Sequence, residues 1–493
     1  MPPRQPMLVM IALCVLLLAG CASRPVNAPI AEVNKNSGYR FQTRQLHDDD
    51  KDNLVILAFS GGGTRAAAFS YGVLEVLRKT EVTGSKGKRV RLLDEVDVIT
   101  GVSGGSFTAL AYGLYGDKLF DDYEQRFLKR DVQGMLLSGF LSPRNWSSLW
   151  SEGWGRSEMA AAIYDDILFN GATFRDLDRG DGPLIIASAT DISTGSRLGF
   201  VQSDFDLICS DLDSVPLSRA AAASSAVPLV LSPVTLNNYG GNCKNVAPTW
   251  VKQLMDPNRP ARPAGRAIQR QKEMELFQDG ANRPYLHLVD GGVSDNVGMR
   301  GILESLEELE AARASRRATR LDQVKRVVVF VVNSLSTPKT DWDQNARPPN
   351  DFLILLKATG VPIDRYSYEA VELLKDITAR WKNIRALKKA GAFRVGASGN
   401  FQETLDVPDI EIYAIDVSFA ALKDKAEFDY LNDLPTSFVL PDEAVDRLRA
   451  AAGTIVLQSP EFQRLLRDVD AQLHVPSAAA PASATGATAA GAR

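Results

Sequence analysis

A serine placed between glycines, in Gly101-Val102-Ser103-Gly104-Gly105, has the clearest chemical meaning in this sequence. Residues 96–100 (VDVIT) are apolar and β-branched, which predicts a strand, and the stretch from Ser106 to Leu114 predicts a helix. A serine on a sharp turn between strand and helix presents its hydroxyl at the positive end of the helix. The glycines at 101 and 105 tolerate the dihedral angles of such a turn and leave room for a substrate. The pattern therefore indicates a nucleophilic serine at 103.

Two other predicted strands also end in glycine-rich sequence. Residues 54–59 (LVILAF) predict a buried strand, which runs through Ser60-Gly61-Gly62-Gly63-Thr64-Arg65 into a helix predicted from Ala66 to Lys79. Far downstream, a strand predicted over 285–289 ends at Asp290-Gly291-Gly292. In open α/β sheets, sites form at the carboxyl ends of the strands. We therefore expect the glycine loop, the serine and the aspartate to meet at one edge of a sheet.

These three elements, in this order, resemble the patatin-like phospholipase family, whose members are lipid acyl hydrolases with a Ser–Asp dyad and no catalytic histidine. The family pattern is a G-G-G-x-R/K loop, a G-x-S-x-G turn and a D-G-G/A motif, and all three are present. The resemblance covers residues 53–334 and continues more loosely to about residue 468. It departs at Ala66, where a fuller pattern has glycine; we expect this to change helix packing and not the chemistry. Further similar stretches are 164–169 with 173–174, 189–191 with 194–195, 223–228 and 434–438.

The resemblance implies a role for each motif. Ser103 would attack an ester carbonyl and Asp290 would be its base, which requires burial because a carboxylate is a weak base in water. Considered alone, Asp-Gly-Gly is also ordinary turn sequence. The backbone N–H groups of the loop would bind the oxyanion, and the loop lacks the Gly-Lys-Ser/Thr ending of a nucleotide-binding loop. The oxyanion residues implied are Gly61, Gly62 and Gly63, and the supporting motif residues are Thr64, Arg65, Gly101, Gly105, Gly291 and Gly292. We expect Arg65 to hold the loop in place, although it could also reach a phosphate.

Two alternatives remain open from the sequence. A conventional triad esterase needs a histidine, and the chain has His47, His287 and His474. His287 lies three residues before Asp290, hence on the opposite strand face, and we expect it to be a packed strand residue. The second alternative is a non-catalytic envelope lipoprotein built on a hydrolase fold. The histidines and cysteines show no metal-ligand spacing, so we expect neither a metal nor a cofactor.

The first 21 residues predict export and lipidation. Residues 1–20 have one charge, Arg4, and an apolar run over 7–19, which is typical of a signal peptide. Leu18-Ala19-Gly20-Cys21 resembles the lipobox of bacterial lipoproteins, in which the cysteine is lipidated and anchors the protein to a membrane. The alternatives are an ordinary signal peptide or an uncleaved anchor. Ala22 in place of aspartate favours the outer membrane of the cell envelope. We expect residues 21–52 to be a flexible tether.

Two cysteines remain after the signal and the lipidation site, Cys209 and Cys243. In an oxidising compartment they could form a disulfide or stay as two thiols, and we favour the disulfide.

Composition places the chain among ordinary globular enzymes. It has 493 residues, of which 45% are hydrophobic and 24% charged, with a net charge of −4, and nothing suggests a nucleic-acid partner.

Together with the resemblance, the strand pattern predicts an α/β, three-layer fold with a mostly parallel central sheet and helices on both faces. We expect one domain over 53–470, with a core at 53–340 and a mainly helical extension at 341–470. Residues 250–279 predict an inserted loop or lid, and residues 475–493 a disordered Ala-rich tail. Aromatic and aliphatic residues between 140 and 154 could form a lipid-facing rim, but we expect them in the core.

Overall fold

A computed structural model describes residues 24–41, 43, 52–83, 89–149, 154–178, 182–245, 265–314, 323–340, 342–390 and 408–469. The predicted signal peptide, Cys21, His47, His474, the first part of the predicted lid and the Ala-rich tail lie outside these residues.

The centre of the molecule is an eight-stranded sheet with the order β10-β9-β1-β4-β5-β8-β7, and β6 pairs with β5. The pairs from β10 through β9, β1 and β4 to β5 are parallel, whereas β6, β8 and β7 pair antiparallel. This arrangement confirms the predicted α/β class. The strands are β1 Asn53–Phe59, β4 Val98–Val102, β5 Leu184–Asp191, β6 Ser196–Gly199, β7 Val234–Asn237, β8 Tyr285–Asp290, β9 Arg326–Asn333 and β10 Glu411–Ser418, with a separate hairpin of β2 Glu81–Thr83 and β3 Arg89–Arg91.

Helices flank this sheet. The helices are α1 Gly63–Lys79, α2 Gly104–Tyr115, α3 Leu119–Tyr123, α4 Val132–Leu141, α5 Pro143–Leu149, α6 Arg156–Tyr164, α7 Phe174–Leu177, α8 Gln202–Phe205, α9 Leu217–Ser224, α10 Gly265–Gln278, α11 Gly292–Asp295, α12 Arg300–Ala314, α13 Asp351–Lys389, α14 Lys425–Asn432, α15 Asp442–Gln458 and α16 Pro460–Asp468. Helix α1 packs against α2 and α15, and α9 packs against α6 and β5. Strands β4 and β9 are almost wholly buried because helices cover them, and this accounts for their largely apolar sequence.

The extension after residue 341 adds to this sheet. Strand β10 pairs in parallel with β9 along its whole length, from Glu411 beside Arg326 to Ser418 beside Asn333. The 39-residue helix α13 packs on β10, and its Trp381 is completely buried.

The segment before the sheet is not the tether that we predicted, since residues 24–41 are packed against the domain. Tyr39 is completely buried, and Arg40 forms a buried ion pair with Asp206 at 2.7 Å. The Asn27 side chain pairs with the backbone of Asn237 in edge strand β7, accepting from its N–H at 2.8 Å and donating to its carbonyl at 2.9 Å. These contacts order the segment although its sequence has no helical or strand periodicity.

A disulfide joins Cys209 to Cys243, with Cα atoms 5.4 Å apart. It also supports the N-terminal segment, because the carbonyl of Cys209 accepts from Ile30 N–H at 2.9 Å and that of Cys243 from Val33 N–H at 3.3 Å.

Candidate active site

Ser103 occupies the turn between β4 and α2 in a strained conformation. Its φ is 49° and its ψ −121°, a region that residues other than glycine rarely enter. The backbone N–H of Ser103 donates to Ser224 Oγ at 2.9 Å, and the Ser224 hydroxyl donates to the carbonyl of Ser188 at 2.7 Å. Ser224 therefore holds the strained backbone in place from helix α9. The Ser103 side chain is almost fully buried.

Close backbone packing explains the glycines around Ser103. A Cβ at Gly104 would lie 2.0 Å from the carbonyl oxygen of Gly63, and one at Gly105 would lie 2.6 Å from the carbonyl oxygen of Ser60. A Cβ at Gly61 would lie 3.2 Å from Ser103 Cβ. The serine turn and the glycine loop thus meet backbone to backbone, at the carboxyl ends of β4 and β1.

Asp290 reaches Ser103 from the other direction. We expected Asp290 to lie at the carboxyl end of a parallel strand, but β8 is antiparallel to β5. Its last residue, Asp290, is paired with Ala189, whose neighbour Ser188 is paired with Val102 at the end of β4. The strand begins beyond the edge of the sheet and runs back to the level of the nucleophile.

The two side chains are in direct contact. Ser103 Oγ donates to Asp290 Oδ2 at 2.8 Å, and Gly292 N–H donates to Asp290 Oδ1 at 2.7 Å. Burial raises the pKa of Asp290 to about 6, against the smaller lowering effects of these two hydrogen bonds. Asp290 is therefore largely ionised at pH 7, yet a much stronger base than an exposed carboxylate.

An aromatic cluster lies behind this pair. Phe107 packs edge-on against Tyr164 at 4.8 Å and against Phe438 at 5.7 Å between ring centroids. Burial raises the pKa of Tyr164, and the charge of Asp290 raises it further. Tyr164 is thus close enough to Asp290 for the two side chains to interact electrostatically. Tyr164 and Ser224 both lie in stretches that resemble the family, but their roles depend on contacts that the sequence does not display.

The glycine loop offers fewer free donors than we predicted. The N–H of Gly61 donates to the carbonyl of Asn296 at 2.9 Å, so Gly61 is wrong as an oxyanion donor. Gly62 and Gly63 have positive φ angles of 142° and 61°, and among the described residues their N–H groups have no hydrogen-bond acceptor. The same is true of Gly104 N–H, the residue after the nucleophile. These N–H groups are thus the candidate oxyanion donors.

Arg65 anchors the glycine loop. It is 3% exposed and donates to the carbonyls of Ser334 and Leu434, each at 2.8 Å, and to Thr436 Oγ1 at 3.1 Å. Burial lowers its pKa to about 10. The neighbouring Thr64 N–H donates to the carbonyl of Ser437 at 2.8 Å. Because its donors are engaged with protein atoms, Arg65 has a structural role rather than a phosphate-binding one.

The residues after Gly291 and Gly292 continue the support. Asp295 accepts from the N–H groups of Met299 and Arg300 at 3.0 and 2.9 Å, at the start of helix α12. Asn296 holds Gly61 through its carbonyl and donates through its side-chain amide to Ser367 Oγ of α13 at 3.2 Å. Sequence reasoning missed Asn296, whose partners lie far away along the chain.

His287 takes no part in the contact between Ser103 and Asp290. We expected it to be a packed strand residue, but this was wrong: His287 is exposed, and its Nδ1 lies 3.0 Å from Thr235 Oγ1. Within the described part of the chain, no His/Cys/Asp/Glu group has the arrangement of a metal site.

Part of the predicted core lies on the surface instead. Leu141 is 75% exposed and Trp146 54% exposed, whereas Phe140, Leu149 and Trp154 are partly buried. Their helices are near the glycine loop, because Gln133 of α4 accepts from the Ser437 hydroxyl at 2.8 Å. No helix among the described residues is long and apolar enough to cross a membrane.

The chain resembles a known protein family and, more weakly, several solved structures. No curated protein sequence matches the chain. Among solved structures, human GIVD cytosolic phospholipase A2 is 14% identical over 86% of this chain and 60% of its own length, with a TM-score of 0.43. VipD from Legionella pneumophila is 12% identical over 93% of this chain and 74% of its own, with a TM-score of 0.25. This chain thus spans less than two thirds of the human protein. The family model for patatin-like phospholipase matches residues 57–302, which contain the glycine loop, Ser103 and Asp290, and the chain therefore carries a domain of the patatin-like phospholipase family.

Proposed function

We propose that this protein hydrolyses fatty-acyl esters of phospholipids or lysophospholipids through a Ser103–Asp290 dyad. The observation that carries the proposal is the 2.8 Å hydrogen bond from Ser103 Oγ to a buried carboxylate. A serine hydroxyl is a poor nucleophile unless a base takes its proton. Asp290, with a pKa near 6, is such a base without help from a histidine.

In the acylation step, Ser103 Oγ attacks the ester carbonyl carbon while its proton passes to Asp290 Oδ2. The C–O bond to the lysolipid or glycerol alcohol then breaks, and Asp290 returns the proton to this leaving oxygen. The acyl group remains on Ser103 as an ester. Gly62 and Gly63, with Gly104, would donate their N–H groups to the carbonyl oxygen as it becomes negative, which is a large term in acyl transfer.

Deacylation reverses these roles with water as the nucleophile. Asp290 accepts a proton from a water molecule that attacks the acyl-serine, and the proton then moves to Ser103 Oγ as the fatty acid leaves. One carboxyl group thus serves as base and acid in both halves of the reaction.

The proposed location is the cell envelope. The signal-like residues 1–20 and the lipobox-like sequence ending at Cys21 support a lipid anchor, and Ala22 favours the outer membrane. Several acyl chains on one cysteine would hold the enzyme stably to the bilayer that contains its substrate.

Labelling with a fluorophosphonate tests the dyad directly. The probe forms a phosphorus–oxygen bond to an activated serine and releases fluoride, and mass mapping then identifies the labelled peptide. We expect labelling at Ser103, none in Ser103→Ala, and a rate at least about 100-fold lower in Asp290→Asn.

His287→Ala is the matched control for a triad and should label like the wild type. Loss of labelling in His287→Ala with an intact fold would favour a conventional triad. Absence of labelling in the wild type would favour a binding protein on a hydrolase fold.

A further inference from the structure

The first turns of helix α13 form an apolar surface that nothing covers in the described structure. We call residues 351–361 the helix tip. Leu353, Ile354 and Leu355 are 40%, 44% and 50% exposed, and Val361 is 43% exposed. Successive helix positions point about 100° apart, so three consecutive apolar residues face more than one side of the helix. A helix packed on a protein core would hide its apolar face, and a solvated helix would carry polar residues here.

Contacts with β10 give the direction in which the helix tip points. Arg385 of α13 donates to the carbonyl of Ile410 and to Glu411 at the start of β10, whereas Lys375 pairs with Asp416 near its end at 2.9 Å. The helix is therefore antiparallel to β10. Strand β10 is parallel to β9, and β9 to β1, so the start of α13 lies toward the carboxyl edge that carries the glycine loop.

The helix tip extends past the active site. Ser367 of α13 meets Asn296, the residue that holds Gly61. Leu353 lies fourteen positions before Ser367, which corresponds to about 21 Å along an α-helix. The apolar end of α13 thus projects beyond the edge of the sheet at which Ser103 lies.

The N-terminal segment reaches the same edge. The Arg24 guanidinium lies 5.5 Å from the centre of the Tyr285 ring and donates to the carbonyl of Thr235 at 3.2 Å. Tyr285 begins the antiparallel strand β8, so it lies beyond the carboxyl edge, and it is 52% exposed. Cys21 is three residues before Arg24, at most about 11 Å of extended chain. A lipid on Cys21 would therefore meet the domain at this edge and not at the end of a long tether.

Further exposed apolar side chains lie in a loop next to the active site. Asp290 N–H donates to the carbonyl of Ala226, and in the loop after Ala226 the side chains of Leu229 and Val230 are 41% and 47% exposed. Exposed apolar side chains thus lie in a loop next to Asp290, as well as at the helix tip and at the start of β8.

We propose that the helix tip docks into the lipid leaflet in which Cys21 is anchored and turns the Ser103 site toward that leaflet. This deepens and rests on the proposed function, because the leaflet would be both the anchor and the source of the ester. Lys357 is exposed within the helix tip and suits phosphate head groups. The proposed contact is a shallow insertion of the exposed apolar side chains.

The test uses a chain that begins at Ala22, since every described contact lies after that residue. Leu353→Gln/Ile354→Gln/Leu355→Gln removes the apolar end and keeps residues that favour a helix. Leu387→Gln is the matched control, because Leu387 is 45% exposed on the same helix, near the opposite edge of the sheet. Binding to phosphatidylcholine–phosphatidylglycerol vesicles is measured by sedimentation, beside hydrolysis of dissolved p-nitrophenyl butyrate.

We expect the triple variant to lose at least about tenfold in vesicle affinity while ester hydrolysis stays within about twofold of wild type. Leu387→Gln should change neither. Unchanged vesicle affinity in the triple variant would overturn the proposal. If, in addition, the wild type forms an oligomer that dissociates in the triple variant, the helix tip is instead a contact with a second copy of the chain. Absence of fluorophosphonate labelling at Ser103 in the wild type would instead refute the proposed function and leave the vesicle result to decide the docking.

Discussion

Replacing Asp290 by asparagine should abolish activity and at the same time stabilise the fold at neutral pH. The folded protein raises the pKa of this carboxyl to about 6, from an ordinary value of 3.8, chiefly by burial. A raised pKa means that the folded state binds the proton more tightly than the unfolded state. Stability from this group is therefore fully present below about pH 4 and is lost as the pH rises through about 6. Asparagine is neutral at every pH and avoids that loss.

The size of the effect follows from the two pKa values. Each pH unit between them corresponds to about 1.4 kcal/mol, so the full difference is about 3 kcal/mol. Integrating the proton linkage places about 2 kcal/mol of this between pH 4.5 and pH 7. The amide can still accept the Gly292 N–H, so the substitution leaves that donor satisfied.

Urea unfolding of the chain beginning at Ala22 measures this effect at several pH values between 4.5 and 8. The difference in free energy of unfolding between Asp290→Asn and wild type should grow by about 2 kcal/mol from pH 4.5 to pH 7 and then level off. Burial also raises the pKa of Asp213 and Asp295, but both are present in the two proteins and cancel in the difference. Ser103→Ala retains Asp290 and should keep the pH dependence. A difference that is constant across this range would refute the claim that burial makes Asp290 basic.

Three further predictions concern activity and the fold. Ester hydrolysis should fall about tenfold per pH unit below pH 6, as Asp290 gains its proton, and a pH–rate profile checks this. Gly104→Ala should lower hydrolysis at least about 100-fold, because its Cβ would lie 2.0 Å from a backbone oxygen, whereas Gly453→Ala, with its nearest neighbour at 3.7 Å, should be active in the same assay. Replacing Cys209 and Cys243 by serine should lower the free energy of unfolding by about 3–4 kcal/mol, given their separation of 34 residues, and equal urea midpoints would contradict this.

Local patterns in the sequence predict much of this fold. Strands β1, β4 and β8 were indicated by short, largely apolar runs. For β1 and β4 the reason is that strands covered on both faces need little polar sequence. The turn at Ser103 was indicated by its glycines, because only they allow two backbones to meet so closely. The short strands β6 and β7 were not predicted, since four residues carry too little periodicity to stand out.

Features that depend on residues far away along the chain could not be predicted from local sequence patterns. Nothing within residues 285–290 shows that β8 runs antiparallel, because strand direction depends on how the chain returns to the sheet. The three glycines of the loop are equivalent in sequence, and only the carbonyl of Asn296 distinguishes Gly61 from the other two. The sequence of residues 24–41 predicted a tether because it has no helical or strand periodicity. The segment is ordered by single contacts, such as the ion pair of Arg40 with Asp206.

Fatty-acid release from phospholipid and lysophospholipid vesicles tests the central claim most directly. Wild type should release fatty acid in the presence of EDTA, Ser103→Ala and Asp290→Asn should not, and His287→Ala should match wild type. That result would establish a metal-independent Ser–Asp acyl hydrolase. Loss of release in His287→Ala with an intact fold, or full release in Asp290→Asn, would contradict the account.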